Sequence, residues 1–169
     1  PADGEPVALS IGNFDGVHRG HRKLAAAAVA AAKRAGTVAV VLTFDPPPGR
    51  ILRPADTPER VCLPGEKVAL LHGVGIDHVV TITPEPSLLK MDPETFLDDI
   101  IARTFSPSCL VEGNNFHFGA GRSGSIETLQ SLAAARGWTV EVVEPATVEL
   151  DGDVQRVSST LVRKLIKNG

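Results

Sequence analysis

Residues 7–44 read VALSIGNFDGVHRGHRKLAAAAVAAAKRAGTVAVVLTF. The stretch opens on an apolar run, Val7 to Ile11, that reads as a strand. It closes on a longer unbroken one, Val38 to Phe44, of the kind a parallel strand shows when both its faces are covered. Between them the spacing predicts a helix over Arg22 to Arg34, almost entirely strong helix formers, stopped by Gly36. The near-continuous alanine of that helix suits close packing on a sheet. The corner joining strand to helix, IGNFDGVHRGH, holds three glycines and two of the chain's five histidines.

Outward from that unit the alternation continues. A helical pattern begins at Glu66 and ends near Gly73 and Gly75, and His78 to Thr83 is a third strand. Pro93 to Phe105 reads as a helix with Asp92 as its N-cap and Pro93 at the first helical position. Cys109 to Glu112 starts a fourth strand, Glu127 to Arg136 a further helix, and Trp138 to Val143 a fifth strand. A hairpin through Asp151-Gly152-Asp153 and a last helix from Ser158 to Lys167, with Gly169 beyond it, complete the chain. This order predicts an α/β fold, a doubly wound and mainly parallel five-stranded sheet with flanking helices, as one domain over residues 1–169. In such sheets ligands gather beyond the carboxyl ends of the strands, where strand order reverses.

Composition sets limits. The chain is 43% hydrophobic and 22% charged with a net charge of −3, a balance without the basic field that gathers nucleic acid. No stretch approaches the ~18 apolar residues of a membrane span, and the opening PADGEP has no signal-peptide pattern. Cys62 and Cys109 stand apart with no CxxC, which predicts two buried, small apolar residues and a reducing cytoplasm.

Four polar segments follow strands. In the first corner, Gly12 and Gly16 permit sharp turns and Gly20 permits close backbone approach. One helical turn brings His18 and His21 side by side at a helix N-terminus, a setting for phosphate oxygens. The same residues also suit a glycine turn with capping side chains. The second segment, Thr43-Phe44-Asp45-Pro46-Pro47-Pro48, opens twenty residues with six prolines, where no helix is expected to start. A loop of that length is functional or mobile. The third, VEGNNFHFGAGRSG over residues 111–124, faces the first corner if the fourth strand lies beside the first; Phe116 and Phe118 read as core. The fourth, VSSTLVR over residues 157–163, joins hydroxyls at a helix start to Arg163, an anion site or an ordinary capped helix.

In order and spacing, GNFDGVHRGH, LTFDPPP, GNNFHFGAGRSG and VSSTLVR resemble the adenylyltransferase module of prokaryotic bifunctional riboflavin kinase/FAD synthetases. The first and last motifs alone indicate the wider HxGH nucleotidylyltransferase superfamily; the middle two favour the FAD synthetase branch. The resemblance implies a Rossmann-like nucleotidyltransferase fold with a small flavin-side flap. It also implies transfer of AMP from ATP to FMN, with Mg²⁺ entering on the ATP phosphates and no metal site of the protein's own. His18, His21, Asn115 and Arg163 match the catalytic positions. On the ATP side the first motif supplies Gly12, Asn13, Phe14, Asp15, Gly16 and Gly20, with Asp15 matching a loop-ordering residue. Gly113, Ser158, Ser159 and Thr160 complete that side. The flavin side is matched by Asp45, Pro46, Pro47, Pro48, Asn115, Phe118 and Arg122.

The chain departs from the family pattern in three places. Pro47 stands where a histidine is usual, Asn115 where many members carry aspartate, and residues 1–169 hold no match to the flavokinase module that normally follows, so riboflavin phosphorylation is not expected of them. Two other readings remain open at this point: a cytidylyltransferase-like HxGH enzyme, and a non-catalytic flavin- or nucleotide-binding module.

Overall fold

The computed structural model describes residues 4–150 and 152–168. Asp151, expected in the hairpin, and Gly169, expected beyond the last helix, fall outside them. Strands β1 (Pro6–Ile11), β2 (Val38–Phe44), β3 (His78–Ile82), β4 (Ser106–Gly113) and β5 (Thr139–Val143) form one sheet in the order β3-β2-β1-β4-β5. Every pair in it is parallel. Chain order reverses at β1, which lies between β2 and β4, so the switch point is the β1–β4 boundary. The doubly wound five-stranded sheet expected from the sequence is present. An antiparallel hairpin of β6 (Thr147–Leu150) and β7 (Asp153–Arg156) stands apart from it.

The central strands bury both faces, and side chains divide between them with period two. Val7, Leu9, Val40, Leu42 and Leu110 join one core, packed with Leu97 and Ile101 and with Leu129 of α6 (Ile126–Ala135). Ala8, Ala39, Val41 and Val111 join the other, beneath Ala25, Ala28, Ala31 and Ala32 of α1 (Arg19–Ala35). Small residues on both sides bring α1 close to the sheet, which is what the alanine run provides. Gly36, at φ 65°, caps α1 by donating its N–H to the Ala32 and Lys33 carbonyls.

Several elements differ from the expectation. Prolines do not keep the segment after β2 free of helix: α2 (Pro48–Leu52) starts at Pro48 itself. The first helical position has no N–H to lose, so proline is tolerated there. The same placement explains α3 (Pro64–Val74) and the unforeseen α4 (Pro86–Leu89). Asp92 caps α5 (Pro93–Thr95), accepting from Thr95 N at 3.0 Å, but the helix then widens into a π-helical stretch over Phe96–Ala102. Strand β4 begins at Ser106, upstream of the expected Cys109. Its buried Pro107 sits at a register shift opposite Val7 and Ala8, where a missing N–H costs no regular ladder bond. The last helix, α7 (Ser159–Asn168), starts one residue later than expected, with Ser158 outside it.

Candidate active site

The corner after β1 is built under strain. Phe14 and Val17 both adopt left-handed backbone conformations, at φ 48° and 37°, uncommon for a phenylalanine and more so for a β-branched valine. Both side chains are buried and anchor the turn. Gly16 has φ 79°, and a Cβ there would lie 2.5 Å from Val61, so only glycine fits. Strain held at a polar turn beyond the carboxyl end of a central strand fits a functional constraint.

This turn delivers His18 and His21 to the start of α1. His18 is the N-cap, and its Nδ1 accepts the His21 backbone N–H at 3.3 Å. A neutral imidazole that accepts at Nδ1 carries its proton on Nε2, which leaves Nε2–H free to donate. The two rings stack with centroids 3.7 Å apart, and Phe14 leans on His21 at 5.2 Å. Burial pushes the His21 pKa down to about 3, helped by His18 and Lys67; burial also lowers His18, partly offset by its own backbone hydrogen bond and Asp15. Both rings are therefore neutral at pH 7 before any anion arrives. The His21 Nδ1 is buried and has no hydrogen-bond partner among the described residues. Gly20 gives room for the His18 ring and the Val157 carbonyl, since a Cβ would meet them at 3.1 and 3.4 Å.

Asp15 ties three segments together. One carboxylate oxygen accepts from Val61 N at 2.9 Å, and the other pairs with the Arg163 guanidinium at 2.5 Å. Arg163 also donates to the Glu59 carbonyl at 2.7 Å, while Ser159 Oγ donates to the Asp15 carbonyl at 3.1 Å. Ser158 caps α7, accepting from Leu161 N at 3.1 Å. The α7 start is thus held against the histidine corner, with Thr160 exposed on its first turn. Arg163 is bound up in this brace, a structural role beyond the anion site or capped helix expected from the sequence.

On the β4 side, Asn115 Oδ1 accepts from Arg156 of β7, and the Arg156 charge is felt at His18. Gly113 ends β4, where a Cβ would lie 3.3 Å from Asn115 Oδ1. Phe118 is instead part of the core, tilted against Phe96 and stacked on Phe116, and Arg122 is exposed on a turn of its own at φ 62°. Neither joins the residues gathered at the corner.

Between the ends of β1 and β2 lies a small cleft lined by Asn13, Asp45, Pro47, Arg60, Cys62 and Lys67. The peptide between Asp45 and Pro46 is cis, and Arg60 pairs with Asp45 at 2.6 Å. Cys62 is half-buried and not simply apolar: its sulfur accepts from Gly16 N at 3.1 Å, and burial raises its thiol pKa. Cys109 is also only half-buried.

Arg60, Lys67, Arg156 and Glu112 were not singled out by sequence reasoning. For Lys67 a signal existed: it lies four residues before Leu71 on α3, so its side chain shares the buried face. Glu112 is buried at the end of β4 and accepts from Ile11 N at 2.6 Å. Burial holds its carboxyl well above the usual range, against the pull of the Ile11 N–H. A folded-state pKa above the unfolded one stabilises at low pH and is lost as pH rises through the folded value. Glu112→Gln keeps the acceptor without the charge. Its melting temperature relative to the native chain should therefore climb as pH rises above the usual carboxylate range, and a flat difference would contradict this.

A parallel α/β sheet with an imidazole pair at the helix after its central strand, beside the switch point, defines a nucleotidyltransferase-like fold. Residues 1–161 match the family described as FAD synthetase, and the chain belongs to that family. It is 37% identical over 157 residues to the bifunctional riboflavin kinase/FMN adenylyltransferase of Pseudomonas fluorescens, covering 93% of this chain and 49% of that protein. It is 30% identical over 162 residues to the protein of the same name from Escherichia coli K12, covering 96% and 50%. A putative protein of that name from Geobacillus thermodenitrificans is 29% identical over 167 residues, covering 95% and 83%. The chain spans about half the length of the first two. A crystal structure described as a macrolide-efflux protein from Streptococcus pneumoniae shares the fold, with TM-score 0.78 and 24% identity over 95% of this chain and 51% of that one. Among the described residues, no helix is long and apolar enough to cross a membrane.

Proposed function

We propose that this chain is an FMN adenylyltransferase, transferring AMP from ATP to FMN to give FAD and pyrophosphate. A phosphate oxygen of FMN attacks the α-phosphorus of ATP, the bond to the bridging oxygen breaks, and pyrophosphate leaves with that electron pair. The nucleophile is already anionic, so no catalytic base is needed; the work is positioning and charge stabilisation. The observation that carries this reading is the stacked His18–His21 pair at the N-terminus of α1, in a chain of the FAD synthetase family.

In this reading His18 Nε2–H and the His21 ring donate to phosphate oxygens, backed by the free amides and dipole of α1. An arriving phosphate raises the pKa of both imidazoles from their depressed values, so proton uptake would accompany binding. Arg156 and Asn115 border the same corner from the β4 side, and the cleft by Asp45, Pro47 and Arg60 lies towards the flavin. Among the described residues, no group of three or more His, Cys, Asp or Glu side chains is arranged to hold a metal ion. In this reading Mg²⁺ would enter with ATP, held through its phosphates. The two free cysteines and the use of ATP fit a cytoplasmic setting, and no riboflavin kinase activity is proposed for this stretch of chain.

The test is pyrophosphate release and FAD formation from FMN with ATP or CTP. FAD formed with ATP is the expected result. Turnover with CTP alone would move the chain to a cytidylyltransferase reading. Tight flavin binding without pyrophosphate release would make it a binding module.

A further inference from the structure

The two halves of the proposed site hang from neighbouring strands, and something must fix the distance between them. The histidine corner leaves β1 through Asn13, and the proline turn leaves β2 through Phe44. Lys67 of α3 sits beneath both, 6% exposed. Its Nζ donates to the Asn13 carbonyl at 3.2 Å, to Thr43 Oγ1 at 2.9 Å and to the Phe44 carbonyl at 3.2 Å. Thr43 Oγ1 in turn donates to the Asn13 carbonyl at 3.2 Å.

An ammonium group has three hydrogens, and here each has an acceptor. Lys67 therefore keeps no donor for a substrate phosphate, although it lines the cleft. Its acceptors are the exit carbonyls of the two strands and the hydroxyl between them. Burial lowers its pKa and the nearby Arg60 charge adds to this, while Asp45, Cys62 and Asp15 around the cleft favour its charged form.

We infer that Lys67 is a positioning residue: a charged tripod that locks the β1 exit to the β2 exit and so fixes the histidine corner relative to the flavin-side turn. Arginine cannot replace it, because a planar fork does not reach three acceptors arranged as a tripod. This inference rests on the adenylyltransferase reading for the reaction that it tunes, but the locking itself is measurable without turnover.

The experiment uses the native chain, Lys67→Met, which keeps the apolar stem, Thr43→Val, which removes one leg, and the double variant. Amide hydrogen exchange is followed beside steady-state kinetics with FMN and ATP. In Lys67→Met, exchange at the hydrogen-bonded amides of Gly12, Gly16, Val17 and Asp45 should quicken by about tenfold or more while Val40 and Val41 are unchanged. The kcat for FAD formation should fall by about 10²-fold with both KM values within about threefold, as misplacement of two bound reactants predicts. The double variant should lose less than the product of the single losses. Unchanged exchange in a folded Lys67→Met overturns the inference, as does a raised KM for one substrate at native kcat, which would make Lys67 a substrate ligand. If Lys67→Met does not fold, Thr43→Val decides by the same two readouts. If the native chain forms no FAD, the adenylyltransferase reading fails, and the exchange data alone decide the tripod.

Discussion

His21→Ala is expected to lower kcat for FAD formation by about 10²–10³-fold, the loss typical when one pre-aimed donor to a developing negative charge is removed. The ring is pre-aimed by its surroundings. It stacks on His18, leans on Phe14, and stands at the helix position whose backbone N–H fixes the His18 ring. The backbone bond to His18 survives in the variant, so the fold is retained. Stability supplies an independent check of the environment. The folded His21 pKa of about 3 lies below the usual 6.5, so the unfolded chain takes up the proton first. This group therefore costs the native chain stability as pH falls from about 6.5 towards 3, by at most about 1.4 kcal/mol per unit. The alanine variant lacks that cost, and its deficit at pH 7 should narrow at pH 5. A deficit that widens on acidification would mean that the ring is charged in the folded protein.

The fold was legible where one strong signal covered a whole element. Val38 to Phe44 is a strand end to end as read, because six of its seven residues are apolar, the pattern of a strand covered on both faces, with Thr43 the single polar one. The histidine corner was legible for a similar reason: glycines and imidazoles at a strand-to-helix junction are a local pattern, and the helix supplies the rest. What escaped was made by contact across the chain. Nothing local to Arg156 reveals that the hairpin folds it back onto Asn115, and nothing beside Lys67 names Asn13, 54 positions away, as its acceptor. The prolines were misread in the opposite direction, as breakers, because proline's meaning depends on whether it falls inside a helix or at its first position. Phe118 illustrates a further limit. Its motif matched a flavin-side position, while its own character as a buried aromatic was the better guide to where it packs.

The other large effect is expected from Arg163, where structure and proposed chemistry share one side chain. Arg163→Met should reduce FAD formation by about 10²-fold. It should also cost about 2 kcal/mol of stability, near 5 °C in melting temperature for a chain of this size, because it strands the Asp15 carboxylate. That carboxylate is 14% exposed and, among the described residues, keeps the Val61 and Cys62 amides as partners once the guanidinium is gone. The two roles separate in a double-mutant cycle. Asp15→Asn in the Arg163→Met background removes the orphaned charge, so most of the lost stability should return, with a coupling of about 1–2 kcal/mol. Turnover should not return with it: the double variant should remain at least about tenfold less active than Asp15→Asn alone. Activity that tracks stability through the cycle would reduce Arg163 to a brace for α7. Activity that stays low after the stability is restored assigns the guanidinium to the phosphates, with Asp15 as the group that holds it in readiness until they bind.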